Sequence, residues 1–464
     1  MSTAVIHIRN EVWCTFEGLK KAHIDILWDK FGPYKEGFRH MLPYKLGRWD
    51  GRIRFFEKTG KTYTKLLPQI IPIVENEFGY SLDLIDDRLF FEFPDLVSVT
   101  PFPNTDISLR PYQQQSVNLA INNGSGFILA GTGAGKTVMT GALSNQYANF
   151  GYETITIVPS ADLVDQTFEF YEYCGLDVGQ YSGNNKDIHH SNVVATWQAI
   201  QYNPKILQNF KCVIWDECHG IRGDVAQKLL NQDGIHIPFK FGVTGTFPKP
   251  EVDKLCLSSA VGDILIEIPA RWLMDNGYLT EVEIQQICIK LKDKQDFPDY
   301  ASERTFLSKN EQRMEIIAGL IIDANEKYGN TLVLVNSVSF GENLAKMIEG
   351  SVFLYGASAK EDRKEQYDQY ENRNDIITIA TTGIASTGIS IDRIHCLIMV
   401  DAGKSFIKTI QSIGRSTRLA ADKSKAHIID IFSDLKWSKK HSRDREKWYA
   451  ECEYPLVAKD SVKI

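Results

Sequence analysis

The sequence has no run of about 18 apolar residues, no CxxC pair, no internal repeat and no low-complexity segment. No membrane span is therefore expected. The eight cysteines (Cys14, Cys174, Cys212, Cys218, Cys256, Cys288, Cys396, Cys452) are scattered. That spacing supports neither a zinc site nor a disulfide framework, and it suits a reducing cytoplasm. Residues 1–13, MSTAVIHIRNEVW, lack the basic start and apolar stretch of a signal peptide, so a cytoplasmic protein is expected. Positive charge is not in excess: the net charge is −7. This argues against a protein that coats nucleic acid by bulk charge, but not against one with local basic surfaces.

What is present is length and alternation. The 464 residues are enough for about three domains. Residues 1–104 form a first region, rich in aromatics and locally basic. Lys35, Arg39, Lys45, Arg48, Arg52, Arg54, Lys58, Lys61 and Lys65 face only Glu36, Asp50 and Glu57, with Phe38, Tyr44, Trp49, Phe55, Phe56 and Tyr63 interleaved. An acidic stretch follows from Glu75 to Asp95, and residues 100–104, TPFPN, read as a linker because proline resists helix and central strand.

From 105 to 278, short apolar runs alternate with helical segments such as 163–173. The runs are 127–130, 154–158, 193–196, 212–215 and 241–244. Continuous apolar strands between helices indicate a parallel sheet covered on both faces. The pattern resumes over 279–435, with strands expected at 331–335, 352–355, 376–380, 396–400 and 427–432, and the two lobes join near 275–280. Residues 436–464 read as a charged helical tail.

The strongest local signal is an apolar strand running into Ala130-Gly131-Thr132-Gly133-Ala134-Gly135-Lys136-Thr137. Glycines leave backbone N–H groups open to phosphate oxygens, and the helix that starts at the lysine adds its positive dipole end. Lys136 suits the β and γ phosphates, and the Thr137 hydroxyl suits magnesium. Ala130 stands where the usual first glycine would be. Downstream, Asp216-Glu217-Cys218-His219 ends a strand. Asp216 can hold the magnesium through water, and Glu217 can orient and deprotonate an attacking water.

Asp216-Glu217-Cys218-His219 resembles the DExH box of superfamily-two helicases and translocases, and further segments over about 107–435 fall in that family's order. Leu109-Arg110-Pro111-Tyr112-Gln113 resembles its adenine-reading segment. Pro159-Ser160 and Thr196-Trp197-Gln198 resemble loops that grip a nucleic-acid backbone, as do Asn336-Ser337 in the second lobe. Thr244-Gly245-Thr246 resembles the segment that links hydrolysis to strand binding, with His219 as its partner. Thr381 to Ser390, including Thr382 and Gly388, resembles the fifth motif. RNA helicases of the DEAD type carry aspartate where Ser390 stands. Gln411, Arg415 and Arg418, read on one helical face, match positions where the family places arginines against the γ-phosphate. The resemblance implies two tandem RecA-like α/β lobes, ATP and Mg2+ as cofactors, and a catalytic set of Lys136, Asp216, Glu217, Gln411, Arg415 and Arg418.

Residues 38–55, with Trp49-Asp50-Gly51-Arg52-Ile53-Arg54 followed by Leu66-Leu67-Pro68, resemble the N-terminal domain of the phage UvsW-type branch-migration helicases. A turn at Asp50-Gly51 between two strands would place Arg52 and Arg54 on one face, suited with Arg48 and Trp49 to a duplex backbone. A core role for Trp49, Phe55 and Phe56 remains the alternative. The expected architecture is a small N-terminal α+β domain, two RecA-like lobes and a helical tail. The expected activity is an ATP-dependent DNA helicase on forked or branched DNA in replication, recombination or repair, working as a monomer, with replication or recombination proteins as partners. A duplex-tracking motor without strand separation and an RNA helicase remain as alternatives.

Overall fold

The computed structural model describes residues 2–464 except 104, 184, 219–222, 293–294, 359, 384–390, 392 and 404, and without the side chains of 223, 224, 226, 360, 361, 363, 364, 406–408, 411 and 415. The chain divides into two compact units. One comprises Met1–Ala130 and Gly135–Glu267, the other Gly131–Ala134 and Ile268–Ile464. Among the described residues no helix is long and apolar enough to cross a membrane.

The first unit opens with a four-stranded sheet ordered β3-β2-β1-β4, formed by β1 (Ser2–Ile8), β2 (Trp13–Glu17), β3 (Lys61–Tyr63) and β4 (Tyr80–Asp86). Alternation in β1 buries Ala4, Ile6 and Ile8 against the helix Lys21–Lys30 and against Leu66, Leu67 and Ile70. Leu66 and Leu67 are thus core, while exposed Pro68 sits where a helix start tolerates the missing N–H. Leu255 and Cys256, from the helix Glu251–Val261, complete the same apolar cluster and fasten this sheet to the following one.

That following sheet has seven strands: β5 (Ser125–Ala130), β6 (Thr154–Val158), β7 (Val178–Tyr181), β8 (Asn192–Thr196), β9 (Cys212–Asp216), β10 (Phe239–Thr244) and β11 (Ile264–Ile268). Their order is β11-β5-β10-β9-β6-β8-β7, and β5 to β10 pair in parallel. Phe127, Ile155, Val213 and Trp215 fill one face. The five strands read from apolar runs are all present; β7 and β11 add two more.

The second unit holds another seven-stranded sheet: β12 (Glu281–Lys290), β13 (Thr331–Val335), β14 (Val352–Leu354), β15 (Ile377–Thr381), β16 (Cys396–Val400), β17 (Lys425–Ser433) and β18 (Leu456–Lys463). The order is β14-β15-β13-β16-β17-β12-β18, and every pairing is parallel. Helix Lys436–Glu451 occupies the expected helical tail. The chain then returns as β18 to pair with β12, so the C-terminal residues complete the sheet's edge.

Four local features correct or refine these expectations. Asp50-Gly51 does turn, with Gly51 at φ 86° and Asp50 Oδ1 accepting Arg52 N–H at 3.1 Å. Its flanks, however, form an isolated bridge between Tyr34 and Arg52 rather than strands. Ile53 N–H donates to the Pro33 carbonyl at 3.0 Å, but Pro33 has no N–H to return, so no full ladder forms. Second, the linker is irregular but anchored: Phe102 is buried, with its ring edge-on to Phe170. Third, the helix Phe406–Ser416 ends before Arg418, so Arg418 does not share its face. Ser416 and Thr417 turn their hydroxyls back onto the carbonyls of Ile413 and Gly414, competing with the helical pattern. Thr280 N–H then takes the Thr417 carbonyl at 2.7 Å.

The fourth concerns Lys65, which leaves the basic surface. Its ammonium is buried and donates to Ser125 Oγ at 2.9 Å. Burial lowers its pKa to about 8. Nearby Lys240 is buried too, donating to the Leu230 carbonyl at 2.7 Å. Burial, with Lys65 beside it, lowers the Lys240 pKa to about 7 from 10.5. The unfolded chain therefore holds one more proton on Lys240 between those values, and folding stability rises with pH across that window. Replacing Lys240 by Met should flatten the rise by up to about 1.4 kcal/mol per pH unit. Urea unfolding of both proteins from neutral to alkaline pH checks this, and parallel curves would contradict it.

Candidate functional site

The phosphate loop connects β5 to the helix Lys136–Asn149. Gly133 and Gly135 take φ values of 87° and 77°, a left-handed conformation that side chains resist. Gly135 also has close company: a Cβ there would lie 2.4 Å from Gln113 Nε2. Gln113 is buried, and its Oε1 accepts Arg110 N–H at 2.9 Å, one arm of a capping box. The structure thus sets Gln113 against the phosphate loop, with half of its amide committed to the helix start. Arg110 reaches the Tyr112 hydroxyl at 3.2 Å. Gly131, Thr132, Gly133, Gly135 and Thr137 are all partly accessible, while Ala134 is buried.

Asp216 is the last residue of β9, and Glu217 follows in a left-handed conformation at φ 49°. Such a backbone is costly for glutamate and marks stored strain. Asp216 Oδ1 accepts the Glu217 N–H at 2.9 Å, which holds the turn. The strain aims Glu217 at the loop: Lys136 Nζ lies 3.2 Å from Glu217 Oε1, both side chains being mostly buried. Parallel pairing makes this meeting possible, because β5, β10 and β9 are consecutive in the sheet and end on the same edge. The motif's His219 lies outside the described residues. Thr244 is buried and bonds within its own segment, its hydroxyl donating to the Thr246 carbonyl at 3.0 Å.

Three of the expected strand-gripping hydroxyls share one local role. Ser160 accepts Leu163 N–H at 3.4 Å, and Thr196 accepts Ala199 N–H at 3.3 Å, each capping the helix after its strand. Ser337 does the same for Val338–Met347, accepting Phe340 N–H at 3.5 Å. Gln198 Nε2 donates to the Pro159 carbonyl at 3.3 Å, tying two of these loops together. In the second unit the Thr382 hydroxyl donates to Asn336 Oδ1 at 3.1 Å, joining the loops after β15 and β13; Thr381 closes β15. Gly388 and Ser390 lie outside the described residues, as do the side chains of Gln411 and Arg415. Arg418 is partly exposed, and its carbonyl accepts the Thr280 hydroxyl at 3.1 Å.

In the N-terminal region, Arg52 and Arg54 do share a face. Both reach Asp29, at 3.0 and 3.6 Å, and Arg54 also pairs with Asp50. Their guanidiniums lie over Tyr34 and Trp28, 4.4 and 3.2 Å from the ring centroids. Trp49 donates its indole N–H to the Arg52 carbonyl at 2.8 Å. Phe55 and Phe56 are core residues, as the alternative reading held. Lys35, Arg39, Lys45 and Arg48 are exposed around stacked Tyr34 and Phe38.

A buried polar network in the second unit went unread. Asp430 on β17 pairs with Arg445 at 2.7 Å and accepts the Tyr449 hydroxyl at 2.9 Å. Arg313 is wholly buried and pairs with Asp401 at 2.7 Å. The signal was visible: Asp430 interrupts the apolar run 428–432, and buried charges need partners.

Two family models match the chain: "Type III restriction enzyme, res subunit" over residues 106–249 and "Helicase conserved C-terminal domain" over 312–420. The ATP-dependent DNA helicase UvsW of Enterobacteria phage T4 is 27% identical over 463 residues, spanning 93% of this chain and 90% of that protein. The DNA 3'-5' helicase XPB of Kineococcus radiotolerans is 21% identical, over 77% of this chain and 65% of its own. Among solved structures, the ATP-dependent Type ISP restriction-modification enzyme LlaBIII bound to DNA matches with a TM-score of 0.59 at 13% identity, over 86% of this chain and 34% of its own. The Mycobacterium smegmatis helicase Lhr, bound to ssDNA and AMP-PNP, matches at 0.52 and 17%, over 78% and 51%. These structures share the fold. With two RecA-like parallel sheets, a phosphate loop facing a DExH acid, and helicase models on both halves, the chain belongs to the superfamily-two helicases, as an ATP-hydrolysing DNA helicase or translocase of the UvsW-like kind.

Proposed function

We propose that this helicase uses ATP hydrolysis at Lys136 and Glu217 to unwind or branch-migrate forked and branched DNA. The observation that carries the ATP site is the 3.2 Å approach of Lys136 Nζ to Glu217 Oε1. When ATP arrives, Lys136 exchanges the carboxylate for β- and γ-phosphate oxygens. Glu217, released, orients the attacking water and accepts its proton as the oxygen bonds to the γ-phosphorus and the β,γ-bridging bond breaks. One hydroxyl and one carboxylate suit a magnesium ion that keeps most of its ligands as water and phosphate, so Thr137 and Asp216 would hold it. Bound there, it would neutralise charge on the β and γ phosphates. Arg415 and Arg418 would supply planar, permanently charged guanidiniums to the transition state, with Gln411 beside them.

Pro159, Ser160, Thr196 and Gln198 in one lobe, and Asn336, Ser337, Thr381 and Thr382 in the other, would hold a strand's backbone. Phosphate contacts of this kind position without reading sequence. In the N-terminal domain, Arg48, with Lys35, Arg39 and Lys45, would meet a duplex backbone directly. Arg52, Arg54 and Trp49 would shape that surface, because their polar groups are already engaged. The restriction-enzyme model over 106–249 favours a second reading, a motor that tracks duplex without separating strands.

Strand displacement on forked, four-way and blunt DNA separates the two readings. The proposed function predicts product from the first two; ATP turnover on duplex without displacement would favour the second. Lys136→Ala and Glu217→Gln should each lower DNA-stimulated ATP hydrolysis at least about a hundredfold, and wild-type turnover by either would overturn the site. Replacing Arg39, Lys45 and Arg48 together by Ala should weaken forked-DNA binding and reduce its salt slope by about three phosphate contacts. An unchanged slope in a salt titration would remove these residues from the DNA surface.

A further inference from the structure

Asn336 and Thr382 meet at the end of the second unit's sheet, and what holds Asn336 in place is a third residue. Its amide Nδ2 donates to the Asp401 carbonyl at 2.7 Å, while its Oδ1 accepts the Thr382 hydroxyl at 3.1 Å. Asp401 follows β16 and takes φ 48°, a left-handed conformation rare for a residue other than glycine. That backbone would relax unless its surroundings held it. They hold it from three sides. Asp401 N–H donates to the Ile431 carbonyl at 2.9 Å. One carboxylate oxygen pairs with buried Arg313 at 2.7 Å. The other accepts the Ser438 hydroxyl, at 3.4 Å, from the first turn of helix Lys436–Glu451.

That helix is itself pinned. Buried Glu303 accepts the N–H groups of Trp437 and Ser438, at 2.9 and 2.6 Å. Arg445, further along, bonds both Asp430 and the carbonyl of Ala402, the residue after Asp401. The polar chain therefore runs from the C-terminal helix through Asp401 to the loops after β13 and β15. The bracing side chains Glu303, Arg313, Ser438 and Arg445 are buried, and an unmet polar group in such a place costs more than the bond itself yields.

We infer that Asp401 is a positioning residue for nucleic-acid binding: braced by Arg313 and Ser438, it presents Asn336 and Thr382 as one rigid contact to a phosphate of the bound strand. The inference rests on the proposed DNA role of Asn336 and Thr382 and adds that the C-terminal helix sets their geometry. Asp401 touches no substrate in this scheme. Its effect is on the concentration of DNA the motor needs, not on its rate when DNA saturates.

The test uses the full chain, forked DNA of defined length, and ATP hydrolysis as a function of DNA concentration. Asp401→Asn keeps a residue that tolerates the left-handed backbone and removes the charge facing Arg313. It should raise the half-saturating DNA concentration about tenfold, with the saturated rate within about twofold of wild type. Asn336→Ala should raise the half-saturating DNA concentration at least as much, and the double variant should be no worse than Asn336→Ala alone. Ser438→Ala, which removes only the hydroxyl brace, should raise it about threefold with the same lack of additivity. It decides the matter should Asp401→Asn fail to fold. Wild-type DNA dependence in a folded Asp401→Asn or in Ser438→Ala, beside a weakened Asn336→Ala, overturns the positioning role, as do multiplicative effects in the double variants. Wild-type DNA dependence in Asn336→Ala overturns the underlying DNA reading instead.

Discussion

Parallel strand pairing is the constraint on which the site depends. Parallel strands end on one edge, and the helices between them must cover both faces of the sheet. β5 and β9 flank β10 in parallel register, so the loop after β5 and the acids after β9 emerge side by side. Lys136 and Glu217 are far apart in sequence and meet because the sheet leaves their loops no other place. The left-handed turn at Glu217 is the local cost of that meeting, offset by the Asp216 carboxylate on its N–H.

The same edge logic recurs in the loops proposed to grip DNA. Ser160, Thr196 and Ser337 each cap a helix that follows a strand. A capped helix start also concentrates N–H groups and positive dipole where a phosphate could approach. One hydroxyl thereby serves stability and leaves the loop's shape fixed for binding. In the second unit the loops are further joined by side chains, Thr382 to Asn336 and Asn336 to Asp401, and braced from a C-terminal helix that is anchored by Glu303 and Arg445.

Much of this was legible in the sequence because buried parallel strands announce themselves as unbroken apolar runs. Residues 154–158 and 331–335 were found to the residue. Two of the strands that escaped have polar faces. β12 alternates through Glu281, Glu283 and Gln285, and edge strand β18 carries Lys459, Asp460 and Ser461, so neither forms an apolar run. At the site, the phosphate loop and paired acids were readable from spacing alone, since backbone chemistry dictates it. What spacing could not convey was engagement: that Gln113 caps its own helix, that Arg52 and Arg54 already hold Asp29, and that Lys65 is an interface residue rather than a surface charge. Arg418 was misread as helical because hydroxyls at 416 and 417 draw the helix to a close, an effect that a periodicity of 3.6 does not carry.

On this mechanism the bond chemistry at Lys136 and Glu217 runs in step with DNA held elsewhere on the same chain. Phosphate release by the wild-type protein, followed while forked DNA is titrated in at fixed ATP, tests it most directly. A DNA-coupled motor should show a saturable acceleration of at least about tenfold, falling away as salt strips DNA from the protein. A rate indifferent to DNA at every concentration and salt would contradict it.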